Sequence, residues 1–401
     1  MIKLFRKIEI KEKKFEISLL FTSFIIRLIY ANTRNIFDSG PDANTFKQMA
    51  LDLASLPYFN SEVNGFPIYS PGYPMFLAIN IILFGDYWIV TSQILQITMS
   101  CSTAIIIYSC FKKDVNPKLG KALLFLLLFH PAIVVLSVSC MYESLLIFCL
   151  VLILKMTFID SKSNFSIKFG LTSIFAIAIH PRIIPIILLA LIIGYHKKSS
   201  RLNPRDLGLI ISLNLITIII VVFRNYKYSN YLGLAAGTEY GIKFGHPVLI
   251  KCASTGECLW WGITNNPSEF LREAIINVLH FYSPWSGPLE KGTWFHNISL
   301  YKYINQFFGY YLTEIITIIV TVIGILLFLI GMAVKISQEK KVSLFVSLSL
   351  IVLVMTDAFV YGDSRHRLLI APILYAFQFV AVGRILSIDV KNENRQRTGY
   401  L

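Results

Sequence analysis

The chain has 401 residues, 55% of them hydrophobic and only 15% charged, with a mean hydropathy of +0.63. A soluble protein of this length needs far more polar surface, so the composition excludes a water-soluble globular domain and points to a polytopic membrane protein. The net charge of +14 would suggest nucleic acid in a soluble protein. Here the lysines and arginines cluster in short loops between apolar runs, and the positive-inside rule accounts for them without a nucleic-acid partner.

Residues 1–14 hold Lys3, Arg6, Lys7, Lys11, Lys13 and Lys14 and are expected to stay cytoplasmic, so a first span at 15–31 leads outward as an uncleaved anchor. Arg27 lies inside that span, where it must snorkel or pair with a buried partner. The first outer loop, 32–87, is long for a turn and carries two helical signals. From Asp42, with Pro41 at the entrance, Phe46, Met49, Ala50 and Leu53 share one helical face and Lys47, Gln48 and Asp52 the other. That pattern predicts a helix lying on a membrane surface. Then Tyr69 and Ser70-Pro71-Gly72-Tyr73-Pro74 open an apolar run that ends at Gly85-Asp86 and is too short to cross a bilayer. If 72–84 crossed, the strong span at 88–111 would leave Lys112, Lys113, Lys118 and Lys121 outside. An interfacial or re-entrant 72–84 restores the charge rule.

Further spans are expected at 119–139, 142–159, 167–180, 182–195 and 207–223, with Lys162, Lys168, Lys197, Lys198, Arg201 and Arg205 in the inner turns. A second large outer segment, 224–311, follows. Within it Asn266-Pro267-Ser268-Glu269 precedes a predicted helix whose apolar face is Phe270, Ala274, Ile275, Val278 and Leu279. Spans at 312–334, 342–360 and 368–386 complete a single module, 1–401, of about ten transmembrane helices with both ends inside. The fold class is all-α.

Six cysteines divide into two groups. Cys101, Cys110, Cys140 and Cys149 fall in apolar spans and read as small buried hydrophobes. Cys252 and Cys258 share the polar loop KCASTGEC, which closes as a disulfide hairpin or holds two free thiols; the spacing does not argue for zinc.

The ordered segments DANTFKQMA (from Asp42), SPGYPMFLA (from Ser70), MYESLL (around Glu143), HPR (His180 to Arg182) and SRHRLLIAPIL (from Ser364) together resemble the GT-C superfamily, in the branch of bacterial aminoarabinose transferases and protein O-mannosyltransferases. The resemblance implies a glycosyltransferase that takes a sugar from a polyprenyl-phosphate donor and passes it to a lipid, glycan or protein acceptor. It would work on the outer face of the membrane, most simply a bacterial inner membrane, or on the lumenal face of an endoplasmic reticulum. It makes Asp42, the acid of the first outer loop, the catalytic carboxylate. This is chemically coherent, because a carboxylate in hydrogen-bond reach can take the proton of an acceptor hydroxyl as the sugar bond forms. The leaving phosphate needs cations, which Arg182, Arg365, His366 and Arg367 at outer span ends would supply. The chain departs from the aminoarabinose pattern at Thr45, where that branch has a base, and at Ser70, where it has a lysine before paired prolines. The phosphate contacts must therefore be made differently.

Asp38 is equally placed for an Asx turn and is a second candidate acid. Glu143 sits at the outer mouth of a span, where an ionisable group is costly unless solvated or functional. Arg365 and Arg367 break the positive-inside pattern, whereas His180 reads as a polar group satisfied between helices. No metal site or tightly bound cofactor is expected from these residues, and a divalent ion is left open. Two other readings handle the same chemistry: a transporter or flippase for lipid-linked sugars, which would show broken spans with internal symmetry, and a ligase or polymerase of lipid-linked glycans.

Overall fold

The computed structural model describes residues 2–33, 41–55, 69–158, 165–195, 204–234, 262, 264–282, 310–338, 340–359 and 369–398. Among them every regular element is helical. Three stretches are long and apolar enough to cross a membrane, Lys13–Thr33, Gly72–Phe111 and Pro204–Lys227, and a bent pair at 117–138 makes a fourth. The chain is therefore an integral membrane protein, since Leu215, Ile216, Ile219, Ile220 and Phe223, all on the third stretch, are 52–64% exposed and suit lipid rather than water.

Helix α1 (Ile2–Thr33) is followed by α2 (Pro41–Ser55), which starts at Pro41 as the sequence predicts. Its apolar face is turned to the protein rather than left open to lipid. Ala43, Phe46, Met49, Ala50 and Leu53 are all buried, because α2 packs against α3 (Gly72–Phe84). The face that reads as lipid-seeking is the face that holds the first outer loop to the protein.

The stretch Gly72–Phe111 is a hairpin, not one rod. In a straight helix Tyr73 and Gln96 would be about 35 Å apart at 1.5 Å per residue, yet the Tyr73 hydroxyl donates to Gln96 Oε1 at 2.8 Å. The turn is a 3₁₀ segment, Gly85–Tyr87, opened by Gly85 at φ +53°, a conformation that glycine adopts without a Cβ clash. Helix α3, with 13 residues, is about 20 Å long and falls short of a ~30 Å hydrocarbon core. It folds back along α4 (Trp88–Phe111), which with 24 residues can cross.

Asn116 caps α5 (Pro117–Phe129), accepting from Leu119 N–H at 2.9 Å with Pro117 as the first helical residue. The continuous span expected at 119–139 is broken instead. At His130-Pro131 the chain bends by 42° into α6 (Pro131–Val138), since Pro131 has no N–H to continue the ladder. The Leu128 carbonyl accepts instead from Ser23 Oγ and Arg27, at 2.9 Å each. Arg27 also donates to Ser100 Oγ at 2.6 Å, so its partner is the helix break, reached from within the bundle rather than by snorkelling. His130 Nε2 meets the Tyr375 hydroxyl at 2.9 Å on the other side.

The remaining helices are α7 (Glu143–Phe158), α8 (Phe165–Ile179), a 3₁₀ turn Pro181–Ile183 leading into α9 (Ile184–Tyr195), α10 (Pro204–Ser229), α11 (Pro267–Tyr282), α12 (Tyr310–Gln338), α13 (Lys340–Phe359) and α14 (Ala371–Thr398). Helix α11 forms where Pro267 predicts it, but its buried side is Phe270, Ala274 and Asn277, and Ile275 is 52% exposed. Val278 and Leu279 carry no described side-chain environment. Gly331 on α12 lies directly against the Phe377 carbonyl of α14, an approach that any Cβ would block.

Contacts at one end of the bundle agree with the charge rule. Tyr108, at the end of α4, donates to Glu16 at the foot of α1 at 2.9 Å. Lys121 Nζ lies 5.5 Å from the centroid of the Phe15 ring. Lys335, near the end of α12, pairs with Asp114 at 2.8 Å. These segments, all assigned to the inner side by their lysines, share one end.

Candidate functional site

Asp42 stands in the first turn of α2, where free backbone N–H groups and the helix dipole favour a negative charge. It is half-buried, and the Tyr69 hydroxyl donates to its Oδ1 at 2.6 Å. A phenol that donates at this distance fixes the orientation of the carboxylate. An ionised carboxylate has about four acceptor positions, so this contact occupies one.

One turn on, Phe46 gathers the surrounding elements. Its ring centroid is 4.7 Å from Tyr69, 5.0 Å from Tyr73 and 5.9 Å from Tyr142. Tyr142 precedes the first residue of α7 and lies 5.1 Å from the His180 ring. Five rings thus connect the first outer loop, the start of α3, the α6–α7 connection and the end of α8. Edge-on and tilted packing at 4.5–7 Å is the favourable arrangement for such rings. The start of α3 reaches α8 only because residue 72 is glycine, since a Cβ there would collide with the backbone of Ala178 and Ile179.

His180 ends α8 and caps the 3₁₀ turn, its Nδ1 accepting the Arg182 backbone N–H at 3.2 Å. That contact leaves the proton of the neutral ring on Nε2. Arg182 is half-buried on the turn. Glu143 opens α7 and is wholly buried, with Tyr73 in its electrostatic range. Cys140 lies beside the Tyr73 hydroxyl, and burial pushes its thiol up to about 12, which keeps it protonated and unreactive at neutral pH. Lys47 lies within electrostatic range of Cys140, which brings a cation of α2 to this same group of residues.

The structure therefore links Asp42, Tyr69, Tyr73, Glu143 and His180 through neighbouring contacts, with Arg182 joined through its backbone N–H on His180, residues predicted from segments 140 residues apart in the chain. Asp38, Arg365, His366, Arg367, Cys252 and Cys258 lie outside the described residues. The helix that follows the arginines begins close by, with Ala371 packed on Ala132 and Leu136 of α6. Cys101, Cys110, Cys140 and Cys149 are free thiols; Cys140 sits between helices rather than in a span. Among the described residues no group of three or more His, Cys, Asp or Glu side chains is arranged to hold a metal ion.

Sequence reasoning overlooks three contributors. Phe46 reads only as part of an apolar face, and Tyr142 is hidden by its acidic neighbour. Gln96 left a signal: with Gln93 it is a carboxamide in the middle of an apolar span, which is costly there unless hydrogen-bonded.

Fold and site together define an all-helical integral membrane protein with a half-buried acid and an arginine joined by an aromatic cluster at one end of its bundle. No family model matches the chain, and no curated protein matches it.

Proposed function

We propose that the protein is a membrane glycosyltransferase of GT-C type, with about ten spans, that moves a sugar from a polyprenyl-phosphate donor to a hydroxyl acceptor on the extracytoplasmic face. The observation that carries this reading is the Asp42–Tyr69 pair, linked through Phe46 and Tyr142 to His180 and Arg182. Asp42, oriented by the phenol, takes the proton of the acceptor hydroxyl while that oxygen attacks the anomeric carbon. The bond to the donor phosphate breaks on the opposite side, which inverts the sugar. The leaving polyprenyl phosphate departs as an anion and requires cations rather than an acid. Arg182 and Lys47 are the described cations of the site, and Arg365, His366 and Arg367 join them in this reading through the start of α14. Lys47, two residues past the uncharged Thr45, offers a positive charge that the family pattern puts elsewhere.

The test is transfer from a panel of synthetic polyprenyl-phosphate sugars to membrane extracts by the purified protein, comparing wild type with Asp42→Asn. Asparagine keeps the shape but cannot take a proton, so transfer should fall by at least about 10²-fold with donor binding retained. Normal transfer by that variant removes Asp42 from the mechanism; no transfer by either protein removes the enzyme reading.

One observation favours a second reading, a transporter or flippase for lipid-linked sugars. The span at 117–138 is broken at His130-Pro131, and broken spans mark many transporters. Arg27, Ser23 and Tyr375 hold that joint, which fits a fixed kink. Flipping of a fluorescent polyprenyl-phosphate sugar in vesicles by the Asp42→Asn variant would favour the transporter.

A further inference from the structure

Helix α4 carries two buried carboxamides one turn apart, Gln93 and Gln96. Gln96 uses both ends of its side chain. Its Oε1 accepts from the Tyr73 hydroxyl at 2.8 Å, and its Nε2 donates to the Ser139 carbonyl at 2.8 Å. Gln93 Nε2 donates to the Val138 carbonyl at 3.2 Å. Val138 and Ser139 end α6, where carbonyls lose their helical partners. Three residues beyond Ser139 comes Tyr142, whose ring packs on Phe46, then Glu143. Tyr73 meets the same Phe46 ring from the α3 side. A single side chain thus ties the start of α3 to the α6–α7 connection directly behind the wall of the Asp42 site.

The chemistry selects the residue type. The phenol donates, and the Ser139 carbonyl, which also takes the Met141 N–H at 2.8 Å, has a second acceptor position; a carboxamide supplies both an acceptor and a donor from one planar group. An ionised glutamate accepts but cannot donate, a methionine of similar length does neither, and an asparagine is one methylene short.

We propose that Gln96 is a positioning residue, the side chain that holds Tyr73 and the Tyr142–Glu143 connection at a set spacing around Phe46, and through it the geometry of the Asp42 centre. What is positioned rests on the glycosyltransferase reading; the spacing itself is a property of the fold. The Gln96 bonds add a polar tie between two segments that the Phe46 ring and the Tyr73–Cys140 contact already bring side by side, so their loss should change geometry before it changes folding.

Two measurements on the full-length protein in lipid test this. The first compares transfer by Gln96→Met, Tyr73→Phe and the double variant. Each single change should lower kcat about 10-fold, the scale of one lost hydrogen bond, with the donor KM held within about 3-fold because the binding groups remain. The double variant should be no worse than Gln96→Met, since both remove one interaction. Additive losses, or a change confined to KM, overturn the proposal. The second measurement needs no activity. Alkylation of Cys140, buried beside Tyr73, should speed up at least about 10-fold in Gln96→Met, as local opening exposes the thiol. It should not change in Asn80→Leu, whose amide donates only to Phe76 of its own helix. Unchanged Cys140 protection in Gln96→Met overturns the positioning role even if no transfer is detected, whereas failure of Asp42→Asn to affect transfer counts against the function alone.

Discussion

The two ends of the bundle hold their acids in different company. At the end marked by lysines, Asp114 lies 2.8 Å from the Lys335 ammonium, and Lys335 also sits over the Phe111 ring at 6.0 Å. At the other end Asp42 is held by the Tyr69 hydroxyl, in a wall of aromatic rings. An ion pair neutralises a carboxylate and joins two helices. A phenol orients a carboxylate and leaves its charge on the acid. The first arrangement suits anchoring, and the second is the one the proposed reaction would use, although both acids look alike in a charge count.

The sharpest way to break this contrast is to remove each charge in turn. Asp42→Asn should reduce transfer by about 10²- to 10⁴-fold, the range for a positioned base, while Asp114→Asn should leave turnover per folded molecule unchanged. Equal losses in a transfer assay would erase the distinction. Next in size is Arg182→Ala. Loss of a charge-assisted contact to the donor phosphate corresponds to about 2–3 kcal/mol, or about 30- to 150-fold in affinity. Isothermal titration with a short-chain polyprenyl-phosphate sugar reads this directly, and Lys335→Met should bind that donor normally.

Lys335→Met should instead act on stability. Asp114 keeps 17% side-chain exposure, so the loss should be about 1–3 kcal/mol, below that of a fully buried pair. Denaturation in detergent measures it, and the exchange Asp114→Lys with Lys335→Asp should restore part of it. Tyr69→Phe keeps the ring on Phe46 and removes the hydroxyl, so kcat should fall about 10-fold with little change in melting temperature. A Tyr69→Phe protein that loses stability but not turnover would make Tyr69 a packing residue like Phe111. The mildest test introduces cysteines at Asn60 and Asn116 for labelling from outside intact cells. Label should reach position 60 and spare 116; label at 116 would put the Asp114 end outside and require 72–84 to cross.

Element positions were largely legible from hydropathy and turn residues. Pro41 and Pro267 mark helix starts that the structure shares, because proline fits the first turn, where no backbone N–H partner is required. The grouping of inner-end segments follows from the lysines, since the same electrostatic rule acts on each loop separately. The break at Pro131 was less legible because the apolar run continues through it, and the cost of the break is met by Ser23 and Arg27, about 100 residues earlier in the chain. What the apolar face of α2 covers was not legible for a similar reason. An amphipathic pattern says that one face avoids water, and lipid and protein satisfy that equally.

The sequence by itself determined the membrane class and the starts of helices such as α2 and α11, since these follow from local composition and turn residues, and it offered Asp42 as a candidate acid only through a resemblance. Only the tertiary structure decided what that acid touches. The Tyr69 bond, the Phe46 cluster and the Gln96 bridge join residues 23 to 43 positions apart or more, and such pairings depend on how α3 folds back along α4. That return depends on Gly85 for the turn and on Gly72 for the approach to α8, two positions where the absence of a side chain carries the information.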